Sequence, residues 1–262
     1  MNTYKNWLFE VEDRVATITL NRPKKRNAIS PETLYELRTI TQAISSRDDI
    51  WVVVLAATGD HFSVGVDVNT IGLMIGQDAE SYRHNLRELQ GCVDLFDALN
   101  KPTIAQIQGY CLGGGLLLAL CCDFRIAAHD AIFGLPEVKR SIAVIMGTQR
   151  ITKIAGIPAT KEMVLLAENF GAQQAQAYNL LHRVVDSAEL PTATAQFADK
   201  FRHLPPRAVH IANRIIDEGH TLSLRTSQEL EIALQQPLLD SADFREAIAS
   251  FFEKRPPIFT GE

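Results

Sequence analysis

Three consecutive glycines, Gly113-Gly114-Gly115, follow Gly109-Tyr110-Cys111-Leu112 and open the apolar stretch Leu116-Leu117-Leu118-Ala119-Leu120. With no Cβ at that turn, another molecule can approach the backbone, and the N–H groups of a helix N-terminus point at whatever negative charge arrives. The same glycines serve close packing of a helix on a strand, and taken alone they leave both readings open. No Lys-Ser/Thr pair follows, the helix is wholly apolar, and the spacing is not that of a dinucleotide fingerprint, so the pattern is no phosphate loop. The apolar run 112–122 ends at Asp123 and Arg125, short of the roughly 20 residues that cross a bilayer. No membrane association is expected.

The rest of the chain alternates strand and helix patterns around this motif. Residues 8–20 carry a period near two, as strands do, and Asn21-Arg22-Pro23 breaks it. Ser30-Pro31 reads as a helix start, followed by Leu34, Leu37, Ile40 and Ile44 at helical spacing. Residues 51–56 form a short β-branched run of the kind covered on both faces. A helix over 80–99, a strand over 102–107, a buried helix over 113–120 and a strand over 124–128 follow. Beyond Gly156-Ile157-Pro158 the segments 159–167, 172–181, 189–203, 206–218, 222–236 and 240–253 all favour helix. The order predicts an α/β core with a helical C-terminal region.

Composition narrows the function. Of 262 residues, 26 are basic and 31 acidic, so no global field draws in a polyanion and no nucleic-acid partner is expected. The first residues lack the apolar core of a secretory signal. Cys92, Cys111, Cys121 and Cys122 are few and three lie in apolar surroundings, the ordinary setting of reduced thiols in a reducing cytosol. A cytoplasmic location is expected. None has metal-finger spacing, so no metal site is expected.

A second loop, Phe62-Ser63-Val64-Gly65-Val66-Asp67-Val68, follows the buried strand, where α/β folds often place ligand contacts. Together with the triple glycine it offers two converging backbone donors, the arrangement a thioester oxygen needs as it becomes an enolate.

Six motifs now stand in order: Asn21-Arg22-Pro23-Lys24-Lys25-Arg26-Asn27-Ala28, the Phe62 loop, the 109–115 glycine segment with Asp123 downstream, Phe133-Gly134-Leu135-Pro136-Glu137, Gly147-Thr148-Gln149-Arg150 and Phe252-Glu253-Lys254-Arg255. Over nearly the whole chain they resemble the enoyl-CoA hydratase/isomerase (crotonase) superfamily. The resemblance implies a crotonase-like spiral of ββα units: residues 1–200 as the core that binds a CoA thioester, and 201–262 as a helical region that helps form a homotrimer or hexamer. It implies an acyl-CoA substrate and no cofactor beyond the coenzyme A that the substrate carries. By position the oxyanion donors are the N–H groups of Val66 and Gly114. CoA contacts fall on Arg26, on the main chain around Val64, Asp67, Val68 and Asn69, and on Lys254, with Leu117 beside the acyl group.

The departure from the family pattern lies at the acids. Hydratases of this family carry two glutamates, one two residues after the triple glycine and one in the Phe-Gly-x-Pro-Glu motif; here those positions hold Leu117 and Glu137. Addition of water to a conjugated thioester divides its proton transfers between two carboxylates, whereas moving a double bond from the 3,4 to the 2,3 position needs one base. Enclosed by Phe133, Leu135, Ile142 and Leu117, Glu137 would gain basicity through desolvation. The next stretch, residues 138–146, lacks the glycine-rich turn of many relatives and reads as a bulkier apolar pocket wall. It also lacks, near Ile145, the aspartate of dienoyl-CoA isomerases. Three expectations remain: an isomerase using Glu137 alone, a hydratase with a substitute for the first acid, and a catalytically weak binder of CoA esters. Asp123 reads as structural, and His61, His84 and Ser63 carry no catalytic pattern.

Overall fold

The alternation over residues 8–20 becomes a hairpin in which β1 (Trp7–Glu12) runs antiparallel to β2 (Val15–Leu20), Trp7 opposite Leu20 and Glu12 opposite Val15. The structure is a computed structural model that describes residues 4–72 and 75–262. Helix α1 (Pro31–Ser45) starts where the sequence signals it: the Thr33 N–H donates to Ser30 Oγ, the Thr33 hydroxyl accepts from the Ser30 N–H, and Pro31 takes the first helical position. Such a cap contributes about 1 kcal/mol. Leu34, Leu37, Ile40 and Ile44 are its buried face.

Strand β3 (Val52–Ala57) is buried at every position and pairs in parallel with β2. After α2 (Val68–Gly72) and α3 (Ala79–Asp97) the chain settles into a repeat. Strand β4 (Thr103–Ile107), strand β5 (Tyr110–Leu112) and helix α4 (Gly114–Ala119) make one unit; β6 (Phe124–Ala128), β7 (Ile132–Gly134), a 3₁₀ turn (Pro136–Arg140) and α5 (Thr148–Lys161) make the next. A π-helical turn (Glu162–Leu166) leads to β8 (Phe170–Gly171), α6 (Ala172–Ala177) and β9 (Arg183–Val185). Helices α7 (Leu190–Arg202), α8 (Pro206–Gly219), α9 (Leu224–Gln235) and α10 (Ala242–Glu253) complete the chain.

In each ββα unit the first strand joins one sheet and the second joins another. The larger sheet has the order β1-β2-β3-β4-β6-β9, parallel beyond the first hairpin, and the smaller has β5-β7-β8. Val53, Leu55, Ala105 and Ile107 meet the apolar faces of α1, α3 and α4 in the main core. Val52, Val54, Ile104 and Ile126 face the other way and are covered by Leu190 and Ala198 of α7, with the rings of Phe124, Phe197 and Phe201 meeting at a tilt beside them. Coverage on both faces explains why β3 reads as a continuous apolar run.

Several elements differ from the sequence reading. Helix α5 begins at Thr148, well before residue 159, and is broken at Gly156, whose φ of 76° lies outside helical space. Residues 162–166 form the π turn rather than more α-helix, ending at Ala167 in the left-handed region. The helix expected over 172–181 stops at Ala177. Strands β5, β7, β8 and β9, of two or three residues each, were not anticipated. Among the described residues no helix is long and apolar enough to cross a membrane.

Candidate active site

Two backbone segments meet beside β5. The loop 62–67 is laid alongside β5 by hydrogen bonds from Ser63 N–H to Tyr110 O (2.9 Å) and from Leu112 N–H to Ser63 O (2.9 Å). On its other side it pairs with Ile29, whose N–H donates to Gly65 O and whose carbonyl accepts from the Asp67 N–H, both at 2.8 Å. Gly65 sits at φ +96°, and a side chain on it would strike Leu112 O at 2.9 Å and Gly114 N at 3.3 Å. Only glycine permits that approach. The approach brings Val66 and Gly114 together: a methyl on Gly114 would lie 3.5 Å from Val66 N. Among the described residues neither the Val66 nor the Gly114 N–H donates to a protein acceptor. One is left over by strand-like pairing and the other by the first turn of a helix.

Glu137 is brought to the same place through the small sheet. Gly113, at φ +49°, donates its N–H to Gly134 O at 2.8 Å, tying the glycine turn to the strand just ahead of Leu135-Pro136-Glu137. A methyl built on Gly113 would lie 2.6 Å from Glu137 Oε1. The other carboxylate oxygen, Oε2, is buried with no hydrogen-bond partner among the described residues. Burial pushes the Glu137 carboxyl above its ordinary range, a rise partly offset by its own backbone N–H and by the Arg140 charge. Phe133, Leu135 and Leu117 are buried as expected. Ile142 differs: its N–H reaches Glu137 O at 3.4 Å, yet its side chain is exposed, so it does not enclose the carboxylate.

Leu117 lies one turn into α4, its N–H bonded to Gly113 O at 3.1 Å, and therefore occupies the helix face that Gly113 begins. Its side chain packs so closely on bare Gly147 that a methyl there would meet Cδ2 at 2.4 Å. An apolar group fills the position.

The remaining expected contacts divide. Arg26 and Val64 are adjacent, the Val64 N–H donating to Arg26 O at 3.1 Å. Val68 and Asn69 are exposed at the start of α2. Asp67 braces the loop: it accepts from Asn69 N–H (3.1 Å) and Arg22 Nη2 (3.3 Å), with Lys25 Nζ at 3.8 Å. Desolvation alone would raise its carboxyl, but these partners together hold it below the usual range. Lys254 stands apart. It is the exposed left-handed cap of α10, and its N–H is shared between Phe251 O and Ser250 O.

Several positioning residues were not singled out in the sequence. Asn27, fully buried at φ +55°, accepts from Arg22 N–H and donates through Nδ2 to Thr58 O (2.8 Å) and His61 O (2.7 Å). Ser63 is no nucleophile: its hydroxyl donates to Asn27 O at 2.8 Å and accepts from the Gly65 N–H at 3.1 Å. The available signal was an Asn just after a Pro-initiated turn, a residue tolerant of left-handed backbone. His61 accepts from the Tyr110 N–H and lies at a tilt against the Tyr110 ring, and His84 is exposed on α3. Asp123 accepts from the Thr103 N–H and hydroxyl and from Asn213 of α8, a half-buried joint rather than a reactive acid. Among the described residues no group of three or more His, Cys, Asp or Glu side chains is placed to hold a metal.

This geometry has close counterparts. The family model of enoyl-CoA hydratase/isomerase matches residues 10–262. A short-chain-enoyl-CoA hydratase of Clostridium acetobutylicum is 31% identical over 252 residues, covering 95% of each chain. An enoyl-CoA isomerase/hydratase of Mycosarcoma maydis is 34% identical, covering 94% of this chain and 92% of that one. The crystal structure of an enoyl-CoA hydratase from Bacillus anthracis superposes with a TM-score of 0.91 at 32% identity, covering 98% of this chain and all of the other. The ββα spiral, the glycine turn facing a glutamate and these likenesses converge: the chain is an enzyme of the enoyl-CoA hydratase/isomerase family, with the crotonase fold.

Proposed function

We propose that this enzyme moves a double bond in an enoyl-CoA thioester, using Glu137 as its single acid/base. The thioester oxygen accepts hydrogen bonds from the Val66 and Gly114 N–H groups. Glu137 removes a proton from the α carbon of a 3-enoyl-CoA, the electron pair delocalises onto the oxygen as a dienolate, and the same carboxyl returns the proton to the γ carbon to give the 2-enoyl isomer. Stabilisation of the developing oxyanion by preorganised donors is the main electrostatic term, with about 10²- to 10³-fold carried by one donor. The raised Glu137 carboxyl matches a base that must be both strong and able to reprotonate near neutral pH. Arg26 and the stretch holding Val64, Asp67, Val68 and Asn69 carry the CoA moiety, with Lys254 as a further phosphate contact.

The observation that carries this reading is the pairing of Glu137 with Leu117: one carboxylate beside the free N–H groups and an apolar side chain where a second would stand. Hydration is the second reading, favoured by the names of the relatives, most of which are hydratases. The purified enzyme is incubated with a 3-enoyl-CoA and, separately, its 2-enoyl isomer, and both mixtures are read by liquid chromatography with mass detection. Interconversion at unchanged mass is expected, and Glu137→Gln should lower it by about 10²- to 10⁴-fold with little change in ligand affinity. A product heavier by one water would establish hydration instead, and unchanged turnover in the variant would remove Glu137 from its role.

Copies of the chain associate as a trimer or a dimer of trimers through the region 201–262. Ile216, Leu224, Ile232, Phe251 and Phe252 of α8, α9 and α10 are all more than two-thirds exposed, an apolar load that a lone chain would leave in water. Sedimentation velocity tests this, and a monomer at micromolar concentration would overturn it.

A further inference from the structure

Arg150 stands in the first turn of α5, where the helix dipole opposes a cation. Its place is therefore not explained by the helix that carries it. All three guanidinium nitrogens are engaged. Nε and Nη2 donate to Asp97 Oδ2 at 3.0 and 2.9 Å, and Nη2 also reaches Asp94 Oδ1 at 2.6 Å, so the side chain is tied to the last turn of α3. Nη1 turns the other way and donates to Met146 O at 2.8 Å.

That carbonyl belongs to an unusual piece of backbone. Met146 sits at φ +66°, left-handed space that a residue with a side chain keeps only where its surroundings impose it. Two bonds impose it here: the one from Arg150, and one from the Thr148 hydroxyl to Val144 O at 2.5 Å. The next residue is Gly147, and a methyl built on it would meet Cδ2, Cδ1 and Cγ of Leu117 at 2.4, 2.9 and 2.9 Å. The whole end of the leucine side chain therefore lies on bare backbone. Side chains of a helix lean toward its N-terminus, so Leu117 leans toward the glycine turn, where Gly113 lies against Glu137 Oε1.

We infer that Arg150 is a positioning residue for the reaction: by gripping Met146 O between α5 and the two aspartates of α3, it holds Gly147 against Leu117 and so fixes the apolar side of the site. The planar guanidinium suits this task, since it addresses a carbonyl and two carboxylates at once in a rigid fork, which the single ammonium of lysine does not. The inference rests on the place given above to Leu117 and Glu137 in the reacting site, and it adds the residue that acts on them from outside it.

Hydrogen–deuterium exchange of the full-length enzyme, read by mass spectrometry, tests the contact chain without substrate. Arg150→Gln should speed exchange over 141–149 and also over 113–120, with β1, β2 and β3 unchanged. Faster exchange confined to the ends of α3 and α5 would reveal a local ion pair and overturn the inference. Asp97→Asn loosens the same grip from α3 and should give the same pattern more weakly, which keeps the test open if Arg150→Gln does not fold. Turnover is then read as a double-mutant cycle, the direct measure of coupling. Arg150→Gln should lower kcat roughly ten- to a hundred-fold while KM stays within about threefold, and Arg150→Lys should fall between variant and parent. In a Leu117→Ala background, where Gly147 has little to rest on, the same change should cost less than about threefold. Equal losses in the two backgrounds would reduce Arg150 to a stabilising ion pair. The cycle is scored on isomerised and hydrated product alike. Hydration with a coupled cycle would remove the proposed reaction and keep the role of Arg150; isomerisation with additive losses would do the reverse.

Discussion

Replacing Gly113 by alanine places a methyl group 2.6 Å from Glu137 Oε1, where ordinary contact begins near 3.4 Å. The carboxylate is the movable partner, so it must withdraw by about 0.8 Å, a displacement of the size that costs a reaction about 10²-fold when it separates reacting groups. Alanine must also adopt φ +49° and ψ −126°, sparsely populated space whose strain is about 1–3 kcal/mol. At this chain length each kcal/mol lowers Tm by about 2–4 °C. The variant should therefore fold, melt several degrees early, bind a saturated acyl-CoA almost as before, and lose about 10²-fold in kcat. Thermal unfolding, calorimetric titration and the isomerase assay read the three quantities separately. A kcat within threefold of the parent, in a variant that melts early, would show that the place of Glu137 against Gly113 is irrelevant to turnover. Loss of fold would be resolved by Glu137→Ser in the Gly113→Ala background, which removes the clash and should recover stability without activity.

Asp67→Asn should lower stability by about 1–3 kcal/mol at neutral pH through weakened bonds to Arg22 and Asn69, and raise KM more than it lowers kcat. Because the folded carboxyl is held below the unfolded value of about 3.9, its stabilisation is full above that pH and is lost as pH falls through the folded value; denaturation curves of parent and variant should converge in strong acid. His210, whose ring meets Trp51 O at 3.3 Å, is lowered by burial to about 4, and His182 is likewise lowered to about 4. The unfolded chain therefore takes up protons first, and stability should fall from pH 6.5 toward 4 by up to ~1.4 kcal/mol per pH unit for each proton. His210→Gln should flatten that fall in urea titrations at pH 7, 6 and 5; an unchanged slope would show that the ring is solvated. Leu117→Glu should destabilise the fold by about 2–4 kcal/mol, since it buries a carboxylate near another, and should yield a product heavier by one water. Absence of that product in a folded variant would mean that water has no access to the site.

Where the chain is locally periodic, the fold was legible in advance. The Ser30-Pro31 start, the buried β3 run and the helices after residue 189 all formed within a few residues of their expected bounds, because each is decided by neighbours in sequence. Strands β5, β7 and β8 were not legible. Two or three residues carry no period, and their existence depends on partners some 20 to 50 positions away, as when Ser63 pairs with Tyr110 or Gly113 with Gly134. The candidate site was readable as residue types, since the glycines and Glu137 stand in recognisable motifs. Its bracing was not, because Asn27 acts through three backbone groups that only the folded chain gathers, and Ile142 turns outward where composition alone read a pocket wall.

The two unengaged donors belong to peptide units, and that bears on how such an enzyme changes over evolutionary time. A polarising group built from side chains is lost with one codon. Here Val64, Val66 and the apolar residues of α4 can be exchanged for others of similar bulk while the amides stay in place, held by core packing and by the Ile29 and Ser63 pairings. Mutational drift is thereby steered toward the few side chains beside those amides, such as those at positions 117 and 137. A lineage with this architecture can change the side chains of the site in single steps without first dismantling the backbone that presents the two donors.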